Sequence, residues 1–125
     1  MTAVALVLVA LASLLHVAIF AMESLLWTRP AVWRRFGLRS QADAEITRPM
    51  AYNQGFYNLF LALIGVTGIV LDVAANPAGF VLMVVATASM IAAAIVLATT
   101  GRRYLRAAMM QGTLPALGLL ALLLS

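Results

Sequence analysis

Four apolar runs divide the chain, at about residues 3–27, 50–73, 79–100 and 104–124. Each is long enough to cross a bilayer, which takes about 20 apolar residues. The breaks between them are short and polar. Thr28 to Pro49 carries five Arg, Asp72 to Gly79 contains Asn76-Pro77, and Gly101 to Arg106 is again basic. Pro30 favours a break after the first run, and Pro49 suits the first turn of a second helix. Trp33 and Phe36 suggest a short amphipathic piece lying in the interface. The pattern predicts an all-α fold: an integral membrane four-helix bundle forming a single transmembrane domain over 1–125, with no room for a second.

Composition sharpens this reading. The chain is 65% hydrophobic and 10% charged, more apolar surface than a water-soluble domain of 125 residues can hide. The first run lacks a basic leader and exceeds the roughly 7–15 apolar residues of a signal-peptide core, so a retained helix is expected. All eight basic residues are Arg, and all fall in 28–49 and 101–106. The positive-inside rule then makes those loops cytoplasmic and puts both termini outside. The net charge of +4 is therefore topology and lipid contact, not nucleic-acid binding. Cys is absent, which excludes disulfides and thiol nucleophiles. One His and four acidic residues give no expectation of a metal or other cofactor.

Polar residues interrupt three of the runs. His16 and Glu23 lie nearly two turns apart on one face of the first, with Phe20 and Trp27 on or near it and Ser13 and Ser24 beside it. The second opens on Asn53-Gln54-Gly55-Phe56-Tyr57-Asn58, and the fourth carries Gln111 ahead of Pro115. In the third, Thr87 and Ser89 can bond their own helix backbone. Counted from the cytoplasmic ends, Glu23 lies roughly 6 Å deep, His16 about 16 Å, Asn53 to Asn58 roughly 5–12 Å and Gln111 about 10 Å. Three spans thus place polar groups in one half of the bilayer, where unpartnered carboxamides are costly. The expectation is a pocket between spans one, two and four, with the third as apolar wall.

The segments His16-Val-Ala-Ile-Phe20-Ala-Met-Glu23-Ser-Leu-Leu-Trp27 and Asn53-Gln54-Gly55-Phe56-Tyr57-Asn58-Leu-Phe60-Leu-Ala62 resemble a bacterial family of small four-span membrane proteins, domain of unknown function 1304. The resemblance covers almost the whole chain. It implies four helices and supplies no activity.

Chemistry must come from the residues. Ionisable groups inside a membrane are functional by default. Glu23, His16 and Tyr57 are the catalytic candidates: Glu23 as proton donor, His16 or Tyr57 to take or relay a proton. Asn53, Gln54, Asn58, Gln111, Phe20 and Trp27 are the substrate-binding candidates, the carboxamides by hydrogen bonds and the rings by facing a developing cation. The expected partner is a lipophilic small molecule, turned over by an isomerase, an epoxide-opening cyclase or an epoxide hydrolase in the cytoplasmic membrane of a bacterium. A proton-coupled carrier and a non-catalytic lipid-binding subunit are the alternatives. Membrane lipids are further partners, and the Gly65/Gly68 patch offers a homodimer contact.

Overall fold

The computed structural model describes Met1–Ser125. Helix α1 spans Ala3–Phe20 and runs directly into a π-helical turn at Ala21–Leu25. A short α2, Pro30–Trp33, follows. Helices α3 (Gln41–Val73), α4 (Ala78–Thr99) and α5 (Leu105–Leu123) complete the chain, α5 preceded by a 3₁₀ turn at Arg102–Tyr104. There is no strand. Four helices are long and apolar enough to cross a membrane, as the hydropathy pattern requires.

The helices form a ring in chain order. Helix α3 packs on α1 and α4, and α5 packs on α4 and α1, so α3 and α5 take opposite corners. The second and fourth spans are therefore not neighbours, contrary to the sequence expectation of one pocket walled by spans one, two and four. Helix α4 is no mere wall, because it joins α3 to α5 through buried Met83, Ala86, Thr87, Met90 and Ala94. Thr87 bonds back to the Met83 carbonyl at 2.8 Å, as a hydroxyl in an apolar helix should.

Small residues let the helices close on one another. On α3 the buried set is Ala44, Ala51, Gly55, Ala62, Gly65 and Gly68. A Cβ on Gly68 would lie 2.9 Å from the Met83 nitrogen, and one on Gly65 would meet the Ser13 hydroxyl. Both glycines are thus spent inside the bundle, on α4 and α1. The sequence reading that offered them as a homodimer contact is corrected accordingly.

Helix α3 also begins earlier than Pro49 suggested. Ser40 caps it, its hydroxyl accepting from the Asp43 N–H at 3.1 Å, with Asp43 in the first turn where the helix dipole favours a carboxylate. Pro49 sits inside the helix and leaves the Glu45 carbonyl without its usual partner. That vacancy falls in an exposed stretch where water can serve. The early turns of α3 pack with α2 into a small cap of Trp27, Val32, Trp33, Ala44 and Ala51. Trp27 donates to the Thr47 hydroxyl at 3.1 Å, and Trp33 to Gln41 Oε1 at 2.9 Å. Gln41 in turn donates to the Thr28 carbonyl at 2.8 Å. Trp33 and Phe36 are therefore part of a folded cap, not of a free amphipathic helix.

Two glycine-to-alanine substitutions should separate close approach from ordinary packing. At Gly118 the nearest atoms to a new Cβ lie 3.6 Å away, whereas at Gly55 it would overlap the Ser24 hydroxyl and lie 3.0 Å from the Ser24 nitrogen. Gly118→Ala should leave thermal unfolding in detergent unchanged. Gly55→Ala should cost about 1–3 kcal/mol.

Candidate functional site

The buried positions of α1 and its π turn form one stripe: Ala5, Val9, Ala12, His16, Ile19 and Glu23. Their three- and four-residue steps hold one face inward. His16 and Glu23 thus share a face, as their spacing predicts. The π turn at Ala21–Leu25, closed by the Leu26 N–H on the Ala21 carbonyl at 3.0 Å, carries Glu23 at its middle. A π turn inserts an extra residue and re-aims the side chains that follow; such turns are frequent at functional sites.

Helix α3 meets this turn at Gly55. A Cβ there would lie 3.1 Å from the Glu23 Cβ. The absence of one lets the two backbones approach, and two hydrogen bonds then cross the seam. The Ser24 hydroxyl donates to the Tyr52 carbonyl at 2.8 Å. Asn58 Nδ2 donates to Glu23 Oε2 at 2.9 Å. The same amide nitrogen lies 3.1 Å from the Gln54 carbonyl, one turn back, which fixes its rotamer. Glu23 is 8% exposed and has no basic partner: no Arg lies within 4.0 Å of it, and the one ion pair in the protein joins the Met1 amino group to Asp72. Phe20 completes the seam with an edge-to-face contact on Phe56, centroids 5.1 Å apart.

His16 is fully buried farther along the stripe. Its Nδ1 lies 2.9 Å from the Ala12 carbonyl, and because a carbonyl only accepts, Nδ1 carries the hydrogen. In the neutral ring Nε2 is then the acceptor. It has no protein partner, and neither has the buried Ser13 hydroxyl one turn away.

The other candidates are placed elsewhere. Asn53, Gln54 and Tyr57 lie on exposed faces of α3. Asn53 and Tyr57, with Tyr52, Phe56 and Phe60, line an open groove of about 260 Å³. Trp27 is locked into the cap by Thr47. Gln111 is half-buried on α5, across the ring, and makes no hydrogen bond to the protein. The structure thus brings together Glu23, Asn58, Ser24, Gly55 and Phe20, and does not gather all nine candidates into one pocket. The reason lies in the length of α3. About 20 residues counted back from Val73 reach Gln54, so Asn53 and Gln54 sit at the head-group boundary, where exposed amides are cheap. Asn58 lies about one turn deeper and needs its partner.

Ser24 and Gly55 were the residues the sequence reading undervalued. Their signal was the Gly within a polar stretch, which marks a close backbone approach. Residues 10–123 match the family described as "Protein of unknown function (DUF1304)". The chain belongs to this family. No curated protein and no solved structure matches it. The DUF1304 match takes in every residue of the seam, from Phe20 to Asn58.

A double-mutant cycle on Glu23 and Asn58 measures their coupling. Asn58→Leu alone should destabilise the protein in detergent by about 1–3 kcal/mol, because it strands a buried carboxyl group. Adding Glu23→Leu should recover part of that loss, since both partners are then apolar. Strictly additive losses would show that the pair is not coupled.

Proposed function

We propose that this protein is an intramembrane enzyme in which Glu23 donates a proton to a lipophilic small molecule, in the range of isomerase, epoxide-opening cyclase or epoxide hydrolase chemistry. One observation carries this reading. A buried carboxyl group in a membrane helix is held by a neutral amide, Asn58, and by no Arg. An ionisable side chain inside a membrane helix that no opposite charge neutralises reads as functional by default. A neutral donor orients Glu23 without neutralising it, which leaves the group free to exchange its proton.

The surroundings fit that role. Ser24 and Gly55 fix the turn that carries Glu23, so the acid is positioned by backbone and not by a flexible loop. The Trp27–Trp33 cap covers the cytoplasmic end of the α1–α3 seam. Approach from within the membrane is left, which selects a lipophilic substrate. Phe20 and Phe56 present ring faces and edges beside the seam, suited to positive charge that develops when an alkene or epoxide is protonated. His16 Nε2, about 10 Å farther along the stripe, is an acceptor for a proton released at the far end of an extended substrate. The Arg-rich loops support a cytoplasmic position for this end of the bundle, with both termini outside, in a bacterial plasma membrane.

A proton-coupled carrier is the second reading. The unpartnered His16 Nε2 and Ser13 hydroxyl favour it, because they continue the polar stripe from Glu23 toward the middle of the membrane.

Glu23→Gln separates the two. Lipophilic molecules that co-purify with gently solubilised wild-type and Glu23→Gln protein should differ: the variant should hold a molecule that the wild type converts to an isomer or a hydrate. Identical bound molecules, together with a Glu23-dependent proton flux in liposomes, would overturn the enzyme reading in favour of the carrier.

A further inference from the structure

Apart from Glu23, three polar side chains are buried in this protein: Ser13, His16 and Thr87, none more than 1% exposed. The fold brings them to one level of the bundle. A Cβ on Gly65 would lie 2.5 Å from the Ser13 hydroxyl and 3.7 Å from the Ala86 Cβ, so α1, α3 and α4 meet there. Thr87 follows Ala86, and His16 lies one turn beyond Ser13. Helix α5 closes the level with Pro115. Ser125 bonds to Met1 and Gly118 packs on Leu8 and Val9, so α5 runs antiparallel to α1 and the fully buried Pro115 falls at the height of Ala12. Thr87 gives its hydrogen to the Met83 carbonyl and keeps lone pairs for an incoming donor. Ser13 does not turn back onto its own helix, as Thr47, Thr87 and Thr113 do. Its hydroxyl and His16 Nε2 have no protein partner at all.

We propose that this level is a binding site for one internal water molecule, which accepts the Ser13 O–H and donates to His16 Nε2 and to the Thr87 hydroxyl oxygen. The complement of groups selects water. One donor and two acceptors are to be joined, and a buried water makes about three hydrogen bonds to such groups. Positions three apart on a helix hold their Cβ atoms about 5–6 Å apart, a span that one bridging water covers. The level is also thin in side-chain volume: Ser13, Gly65, Ala86, Thr87 and Pro115 share it, with the large Met83 and Met90 to either side along α4. A metal ion is a poor occupant, because no carboxylate and no second His joins the group. Beyond Ser13 the bundle is sealed by the apolar cluster of Ala5, Val9, Met83 and Leu122, so the water is resident and does not open a path to that end. Its chemical consequence falls on His16. Ala12 holds the ring with its hydrogen on Nδ1, and the water puts an exchangeable O–H against Nε2. The site stands on its own geometry and does not depend on the role given to Glu23.

The chain has a single His, so isotope-labelled histidine reports this site alone. The test uses the full chain in nanodiscs of dimyristoyl phosphatidylcholine, with the ring nitrogens of His16 read by NMR and magnetisation transferred from water. The wild type should show an Nε2 without hydrogen that receives magnetisation from a long-lived water. Ser13→Ala and Thr87→Val each remove one contact and should shorten the residence of that water roughly fivefold. Ser13→Ala should also lower the midpoint of thermal unfolding in detergent by a few degrees. A hydroxyl with no partner would be relieved by the same substitution, and the midpoint would rise. A hydrogen on Nε2, no transfer from water in the wild type, or a midpoint that Ser13→Ala raises or leaves unchanged would each overturn the proposal. Glu23→Gln should give the wild-type water signal, so loss of the acid–base reading would leave this result standing, and loss of this result would leave the proton donor untouched.

Discussion

The approach of α3 to the π turn at Gly55 is the constraint on which the polar half of this bundle depends. Inside a membrane, water cannot rescue an unpaired hydroxyl, amide or carboxyl group, so each must meet a partner across a helix seam. Side chains as short as Ser24 and Asn58 reach a partner only if the backbones come close. Gly55 permits that distance, and any Cβ there would strike the Ser24 hydroxyl. The Ser24–Tyr52 and Asn58–Glu23 bonds then follow as consequences of a single missing methyl group.

The π turn is the other half of the same device. An uninterrupted α-helix would carry the inward stripe of α1 straight on toward Trp27. The inserted residue shifts the positions beyond Glu23, and the chain leaves the helix at Leu26 to enter the cap. Trp27 then packs against Phe36 and bonds Thr47, anchoring the end of α1 to the early turns of α3. Cap and seam therefore brace one another: the cap fixes where α3 begins, and the seam fixes how α3 lies against α1.

Much of this was legible in the residues. Hydropathy alone marks the four spans, and the spacing of His16 and Glu23 places both on the inward stripe, where the structure has them. The first half of the polar stretch was misread through its depth. Pro49 looked like a helix start, yet Ser40 and Asp43 were a capping signal nearer the truth. With α3 starting at Gln41, Asn53 and Gln54 move out to the head-group boundary and lose their claim on a buried partner. The π turn left no mark in the sequence, since Ala21–Leu25 is ordinary helix-forming composition. The ring order was also hidden. Nothing in four apolar runs says that the second and fourth stand at opposite corners, which is why Gln111 was drawn toward a pocket it does not join.

The glycines of α3 show why small residues in a span are ambiguous until their faces are known. Gly55, Gly65 and Gly68 fall at steps of ten and three residues, and each is buried against a different neighbour: the π turn, Ser13 of α1, and Met83 of α4. A dimer motif needs its small residues on one outward row, free for another molecule. Here they turn with the helix from α1 toward α4, tracking the crossing of α3 over two partners. The lipid-facing side of α3 is left to large side chains, Tyr57, Phe60, Leu63 and Val70 among them. Close packing is thus spent inward, and the outward face is rough and carries the rings of Tyr52, Tyr57 and Phe60.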